Sequence, residues 1–540
     1  MKWLYQPHFR DSQASDDKKC KNNRWLTLVV AVTVFPLLVA SVAFPLITGL
    51  PDVCMKIDMA MIELYTRNAM QGNQLVGMYS RFGWNHLGPT YFYMLAPIYV
   101  LAKERSSSLM WAALVINTIF ALFLCLILQK VAKKDVVLAT CASLLLALLF
   151  LHIGIGRLAS PWNPWAIVLP FALFIQASVV FSGGQTVYLP VVLVLGSLLI
   201  QTHIGTGPTV LSLTGVSCIL YTLARKSRDP DNRYMVLPFA VLIAMWFLPI
   251  VQEINGHPGN FSKVVAFFTQ SRHSASWTDS LYAVAIQLSW FPLGLLQRCG
   301  LGIPDFEYEE LARVFAFAQI TGLVLVLILA TKRGAMLRAR MGIIGIVAVL
   351  AALWSASRIE GDIFGYLVFW ISSIGCMNWA LLLAELSEYA SKRVCFSIPI
   401  TQTAVLVIST LLAVVSISFL LKCPIPADSP KIKTLSEELI AYLKVNQIKR
   451  PVFLFNWFNW TTDSGLILQL RKKHISFAVQ NVWQHHGRDW PLFLGRKYRP
   501  SADSKRFIVV ERTSSSERPG YHLIGEFKNE CVFLKESLEH

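Results

Sequence analysis

Residues 51–99 bring together the side chains most able to do chemistry. The stretch holds carboxylates at Asp52, Asp58 and Glu63, cations at Lys56, Arg67 and Arg81, a histidine at His86, and Trp84 and Asn85 beside it. Asp58 is the candidate general base, because a carboxylate fixed at a membrane surface can take the proton of an attacking hydroxyl. It stands where an amphipathic helix is expected to begin, with Met61, Leu64, Tyr65 and Ala69 on one stripe, so its alternative role is that of a helix N-cap. Glu63 and Arg67 are four residues apart, the spacing of a helical ion pair. Asp58 and Glu63 are five apart, which turns them about 140° from each other on a helix and makes them a poor carboxylate pair. Arg81 flanks Phe82-Gly83-Trp84-Asn85, where its planar fork of donors suits a phosphate while a lipid packs on the rings. The competing explanation is an arginine that snorkels to the interface.

The remaining elements must hold this loop at a bilayer. The 540 residues are 54% hydrophobic and 15% charged, with a mean hydropathy of +0.51. A soluble protein carries about 25% charged residues, so the pattern is that of an all-α polytopic membrane protein. The net charge of +17 sits in short clusters between apolar segments. That distribution sets topology and argues against nucleic acid as a partner. Ten cysteines without a CxxC pair signal no zinc site or disulfide framework. Spacing leaves open whether Cys423 and Cys531 pair.

Apolar segments of span length are expected at 25–47, 107–129, 136–153, 165–182, 187–202, 209–223, 236–251, 311–331, 342–356, 366–386 and 397–421, about 11 transmembrane helices. Placing every basic loop inside puts residues 1–24 in the cytoplasm as an N-terminal segment and leaves the 48–106 loop outside. Two apolar pieces, 89–102 and 281–298, are too short to span and suit an interfacial or re-entrant helix. Residues 422–540 change composition and form a small C-terminal α/β domain on the external side. Its first helix is expected to open at the capping box Thr434-Leu-Ser-Glu437. PVFLF, ISFAV and RFIVV supply strands, Asp463 begins a second helix, and no glycine-rich phosphate loop gives this region a catalytic role.

The same topology places further polar groups on the external side. These are Arg157 in GRLASPWNPW, His203 in QTHIGTGP, Glu253 and Asn260 in QEINGHPGN, and Arg358, Glu360 and Asp362 in RIEGDIFGY. Singly, each has a bland structural explanation; together they outline a surface for substrate binding.

The set EL-x-TR-x-A, LVG-x-YSRFGWNH-x-GP and FYMLAPIY, followed by PWNPW, QTHIGTGP, WFLPIVQEINGHPGN and EGD-xx-GY, resembles integral-membrane glycosyltransferases of the GT-C superfamily. The group it resembles most is that of the protein O-mannosyltransferases and the lipid A aminoarabinose transferase, over residues 25–420. The resemblance implies a GT-C-like transmembrane domain at 25–421, multi-pass in the inner membrane with a periplasmic tail, and a sugar donor carried on polyprenyl phosphate. It implies Asp58 as base or metal-associated carboxylate, with a divalent cation (Mg or Mn) as the possible cofactor, and an inverting transfer to a cell-envelope glycan, lipid or protein. Leu87 stands where relatives have proline after the histidine, and Met59 where many have a second carboxylate. The second departure weakens a metal site, since a hard cation needs several oxygen ligands. A transporter or flippase of the same lipid-linked sugar is the alternative, and a non-catalytic assembly protein a third. Inverted repeats and charges within the spans would favour transport; the sequence shows no repeat, and the span interiors are nearly free of charge.

Overall fold

A computed structural model describes residues 34–224, 236–270, 275–298, 305–391 and 428–449, and then parts of the tail, chiefly 451–455, 460–481, 506–511, 521–527 and 530–535. Among the described residues, eight helices are long and apolar enough to cross a membrane: Ser108–Ala132, Val136–Ile153, Asn163–Ser182, Ile204–Ala224, Val236–Asn255, Tyr308–Lys332, Met336–Ser357 and Gly365–Ala390. Each falls on an expected span. Thr186–Thr202 is helical and apolar but shorter, and the first expected span is described only from Val34 to Thr48. The expected 397–421 span lies outside the described residues apart from single positions. The chain divides into two compact units.

The first unit contains most of the long helices (residues 113–247 and 268–423, with the N-terminal 44). Backbone groups in such helices are satisfied within each segment, so side chains supply the ties between them. Asn378 donates to Gln319 at 3.0 Å, Gln319 to the Leu288 carbonyl at 3.1 Å, and Trp379 to that same carbonyl at 2.9 Å. At one end of the helices Arg338 bonds both oxygens of Asp135, at 2.5 and 3.0 Å, and reaches Glu388 at 2.6 Å. The expected interfacial piece 281–298 is two helices, Trp277–Leu288 and Trp290–Arg298, broken at Ser289. Leu288 and Leu293 are buried in this unit, while Trp277 and Leu295 are exposed.

The second unit joins Pro45–Ala112, Leu248–Phe267 and Pro424–His540. Its helices are α1 (Ile57–Met70), α2 (Thr90–Leu101), α3 (Asn260–Gln270), α4 (Pro430–Val445) and α5 (Trp460–Lys472). The strands used here are β1 (Val452–Phe455), β2 (Ala478–Asn481), β3 (Arg506–Glu511), β4 (Tyr521–Phe527) and β5 (Glu530–Lys535). They form one sheet in the order β2-β1-β3-β5-β4, parallel across the first three and antiparallel thereafter. Leu435, Leu439 and Leu443 of α4 and Leu466 and Leu470 of α5 pack with Phe453, Phe507 and Val532 of the sheet. The capping box does not open α4. Ser429 does, its hydroxyl accepting from the Ile432 N–H, with Pro430 at the first helical position. The cap therefore lies five residues before Thr434, which sits inside the helix. Helix α2 was also expected at the interface. It buries Tyr91, Phe92, Leu95 and Tyr99, with Phe92 edge-on to Tyr65 of α1 at 5.3 Å, and leaves Val100 and Leu101 exposed.

Candidate active site

Helix α1 begins one residue before Asp58, with Lys56 at the cap position and no side-chain cap bond. Asp58 is therefore inside the first turn and not the N-cap. An anionic side chain there is still favoured by the helix dipole. Since α1 includes both Asp58 and Glu63, the two carboxylates do diverge around it and form no catalytic pair.

What orients Asp58 is Tyr79, whose hydroxyl donates to Asp58 Oδ1. Tyr79 belongs to a small hairpin over residues 77–86. It is closed by backbone bonds from Gly77 N to His86 O, His86 N to Met78 O and Ser80 N to Trp84 O, each 2.8 Å, and Gly83 takes the turn at φ +86°. A glycine is needed at that φ, because a Cβ there would clash with its own backbone. The oxygen of Tyr79 in turn accepts from the indole N–H of Trp460, the first residue of α5, at 3.0 Å, and the two rings meet edge to face at 5.6 Å. Partial burial and the neighbouring Asp58 carboxylate hold the Tyr79 hydroxyl well above the usual phenol range, so it stays a donor near neutral pH.

Glu63 is fully buried. Its Oε1 accepts from the Tyr99 hydroxyl at 2.7 Å and lies 3.1 Å from Lys472 Nζ. The expected ion pair with Arg67 is bridged: Arg67 donates to the Tyr99 oxygen at 3.0 Å and pairs with Glu104 at 2.6 Å. Glu63 is thus tied to both the neighbouring helix and the tail. Lys472 also bonds Asp52, which accepts from Ser106 N and Oγ at 3.1 and 3.0 Å. Burial raises the Asp52 carboxyl, but Lys472 and Ser106 outweigh it and the net shift is downward. Burial lowers the Lys472 ammonium, and the charges of Glu63 and Asp52 reverse that.

The hairpin is anchored from its other strand. Asn85 N donates to Asn260 Oδ1 at 2.7 Å and Asn260 Nδ2 returns to Asn85 O at 2.9 Å, an amide pairing like a strand. Trp84 and His86 are buried, Trp84 lying 5.6 Å from His86 and 5.6 Å from Phe267. Arg81 sits at the hairpin turn with its guanidinium 4.9 Å from the Phe82 ring. Glu253 takes the start of α3, accepting from Phe261 N at 2.7 Å, from Ser262 N at 3.2 Å and from the Ser262 hydroxyl.

Arg157, His203 and Arg358 belong to the first unit. Arg157 is exposed, with its guanidinium 5.0 Å from the Trp165 ring and 5.1 Å from Phe369. His152 stacks on the other side, 4.8 Å from Trp290 and 5.2 Å from Phe369. His203 is buried at the end of Leu189–Thr202, and Arg358 donates to the Phe268 carbonyl at 3.0 Å. Within the second unit, then, Asp58, Glu63, Arg81, Trp84, Asn85, His86 and Glu253 share one folded neighbourhood. Tyr79, Trp460 and Lys472 were not singled out from the sequence. Tyr79 lies inside the YSRFGWNH block and Trp460 inside an aromatic run, NWFNW, and these were the signals available.

Among the described residues no group of three or more His, Cys, Asp or Glu side chains stands where it could hold a metal ion. Asp58 spends one oxygen on Tyr79, and Glu63 is taken by Tyr99 and Lys472. This donor set does not fit a hard divalent cation, which takes six or more oxygens, so no step below runs through one.

The chain is a multi-pass membrane protein by its helices. No protein-family model and no curated protein matches its sequence. Its fold is similar to that of ArnT from Cupriavidus metallidurans bound to undecaprenyl phosphate, at 13% identity and a TM-score of 0.48, covering 94% of this chain and 98% of that one. It is also similar to the arabinofuranosyltransferase AftD from Mycobacteria, at 15% identity and a TM-score of 0.37, covering 96% of this chain and 40% of that one.

Proposed function

We propose that the chain is a membrane glycosyltransferase that moves a sugar from a polyprenyl-phosphate carrier to a hydroxyl of a cell-envelope acceptor on the external face. Undecaprenyl phosphate, the ligand of that ArnT structure, belongs to this class of carrier. The observation that carries the reading is the Tyr79–Asp58 contact. A carboxylate at a helix start, aimed by a hydroxyl on a glycine-turned hairpin, has the fixed direction a general base requires.

Asp58 takes the proton of the acceptor hydroxyl as its oxygen bonds to the anomeric carbon. The bond from that carbon to the carrier phosphate breaks on the opposite face, which inverts the centre. The departing phosphate gains negative charge, and arginine is the side chain suited to meet it. Arg81, two residues beyond Tyr79, is placed first for that role, with Arg157 and Arg358 after it. His86, Trp84 and Asn85 shape the hairpin that presents Arg81, and His203 is left as a binding residue of the first unit.

The test is transfer in proteoliposomes supplied with radiolabelled polyprenyl-phosphate sugars, comparing wild type with Asp58→Asn. Transfer by wild type and its loss in a folded Asp58→Asn protein supports the reading. Equal transfer by both removes Asp58 as base. Label that crosses the bilayer without being transferred makes the protein a transporter.

A further inference from the structure

The tail was expected to carry no catalytic role, yet one of its helices touches the loop that carries Asp58 at several points. At the first position of α5, buried Trp460 donates to the Tyr79 oxygen at 3.0 Å, and Tyr79 donates to Asp58. At the last position, Lys472 reaches the buried Glu63 of α1 at 3.1 Å and also bonds Asp52. Arg471 adds a 3.0 Å bond to Asn68 Oδ1, farther along α1. Between these ends Gly465 faces the residues just before α1. A Cβ built there would come 2.7 Å from the Met55 carbonyl oxygen and 2.9 Å from Ile432. The approach of the helix to the loop thus depends on that glycine. Just ahead of α4, Asp428 accepts from Cys54 N at 2.8 Å and Ser429 N donates to Cys54 O at 3.3 Å, which fixes the same strip of chain.

A loop could be tied down for stability alone. The arrangement goes further, because the tie at Trp460 ends on the hydroxyl that orients Asp58. An N–H donated to a hydroxyl oxygen polarises that hydroxyl and strengthens the bond it donates onward. We propose that α5 is the positioning element of the Asp58 centre: Trp460 orients Asp58 through Tyr79, while Lys472 and Gly465 set the distance between the helix and the loop. The inference rests on the reading of Asp58 as the base.

Transfer of radiolabelled sugar is measured for the full-length protein in proteoliposomes as a function of pH, for wild type, Trp460→Phe, Tyr79→Phe, the double variant and Gly465→Ala. Asp58→Asn serves as the control. Trp460→Phe is expected to lower kcat about fivefold, the cost of roughly one hydrogen bond, with KM little changed. It weakens a hydrogen bond to the charged form of Asp58, so the acid limb of the profile moves to higher pH. In the Tyr79→Phe background the same substitution is expected to do nothing more, because its route to Asp58 is gone. Gly465→Ala is expected to lower kcat with every side chain of the relay intact. A wild-type profile for Trp460→Phe, or an equal loss with and without Tyr79, overturns the proposal and leaves Asp58 as base. An Asp58→Asn protein that still transfers sugar overturns both.

Discussion

Two carboxylates, each inside a charged neighbourhood, show how differently this chain treats an aspartate. Asp135, between two of the long helices, is held by both arms of Arg338, which also pairs with Glu385 and Glu388. Asp58, in the loop unit, is oriented by a neutral hydroxyl. A bidentate guanidinium engages both oxygens of a carboxylate and pairs its charge. A tyrosine hydroxyl fixes direction without adding a charge. The first solution suits a joint between helices, the second a group that must accept a proton. Nearby, Arg67 is engaged by Glu104 and Tyr99, and Lys472 of α5 by Asp52 and Glu63.

The contrast is broken hardest at Asp58. Asp58→Asn keeps the shape and removes the proton acceptor, so transfer is expected to fall by about 10²–10⁴-fold, the usual contribution of a positioned base, while thermal unfolding in detergent barely moves. Arg338→Met should do the reverse. It strips Asp135 of Arg338 and leaves Glu385 and Glu388 with Arg333 alone, at a site where Arg338 itself is only 5% exposed. Breaking a buried pair from one side costs about 3–5 kcal/mol, visible as a lower unfolding midpoint with kcat of the surviving protein unchanged. If the folded Arg338→Met protein lost activity in proportion to Asp58→Asn, the division between joint and base would fail.

Lys472 offers a sharper test, because it belongs to the loop unit yet plays the part of Arg338. Lys472→Met strands Glu63, which is fully buried, and a loss of stability in the same range is expected. Adding Glu63→Gln removes the stranded charge and should restore much of the midpoint. A double variant as unstable as the single one would show that the pair does no electrostatic work.

The long apolar segments were legible because a helix in a bilayer must be apolar over about 20 residues, a signal contained in one stretch of chain. The place of Asp58 in the first turn of α1 was legible for a similar reason, as an acid at the start of an amphipathic stripe. Its partners were not. Tyr79 is 21 residues away and Trp460 is 381 residues from Tyr79, and no local period encodes such a contact. Glu63 and Arg67 misled because i to i+4 spacing allows an ion pair without requiring one. Tyr99 of the neighbouring helix offered both a hydroxyl, and the pair became a bridge. The opening of α4 was misplaced because Thr434 and Glu437 satisfy the capping-box pattern, while Ser429, just upstream, caps the helix through its hydroxyl with Pro430 at the first helical position and its N–H tied to Cys54.

The mildest effect expected is on acidification, through Asp52. Its carboxyl is depressed in the folded protein by Lys472 and Ser106 against the opposing effect of burial. A group whose folded pKa lies below its unfolded one contributes stability that is complete above the unfolded value, 3.8 for an aspartate here, and lost as pH falls through the folded value. The side chain is 54% exposed, so solvent screens the pair and the contribution is small. Unfolding midpoints of wild type and Asp52→Asn, followed from pH 6 downward, should differ by a small constant amount above about pH 4 and converge below it. Curves that stay parallel below pH 4 would mean that Asp52 contributes through its shape and its bonds to Ser106, and that Lys472 is held by Glu63 alone.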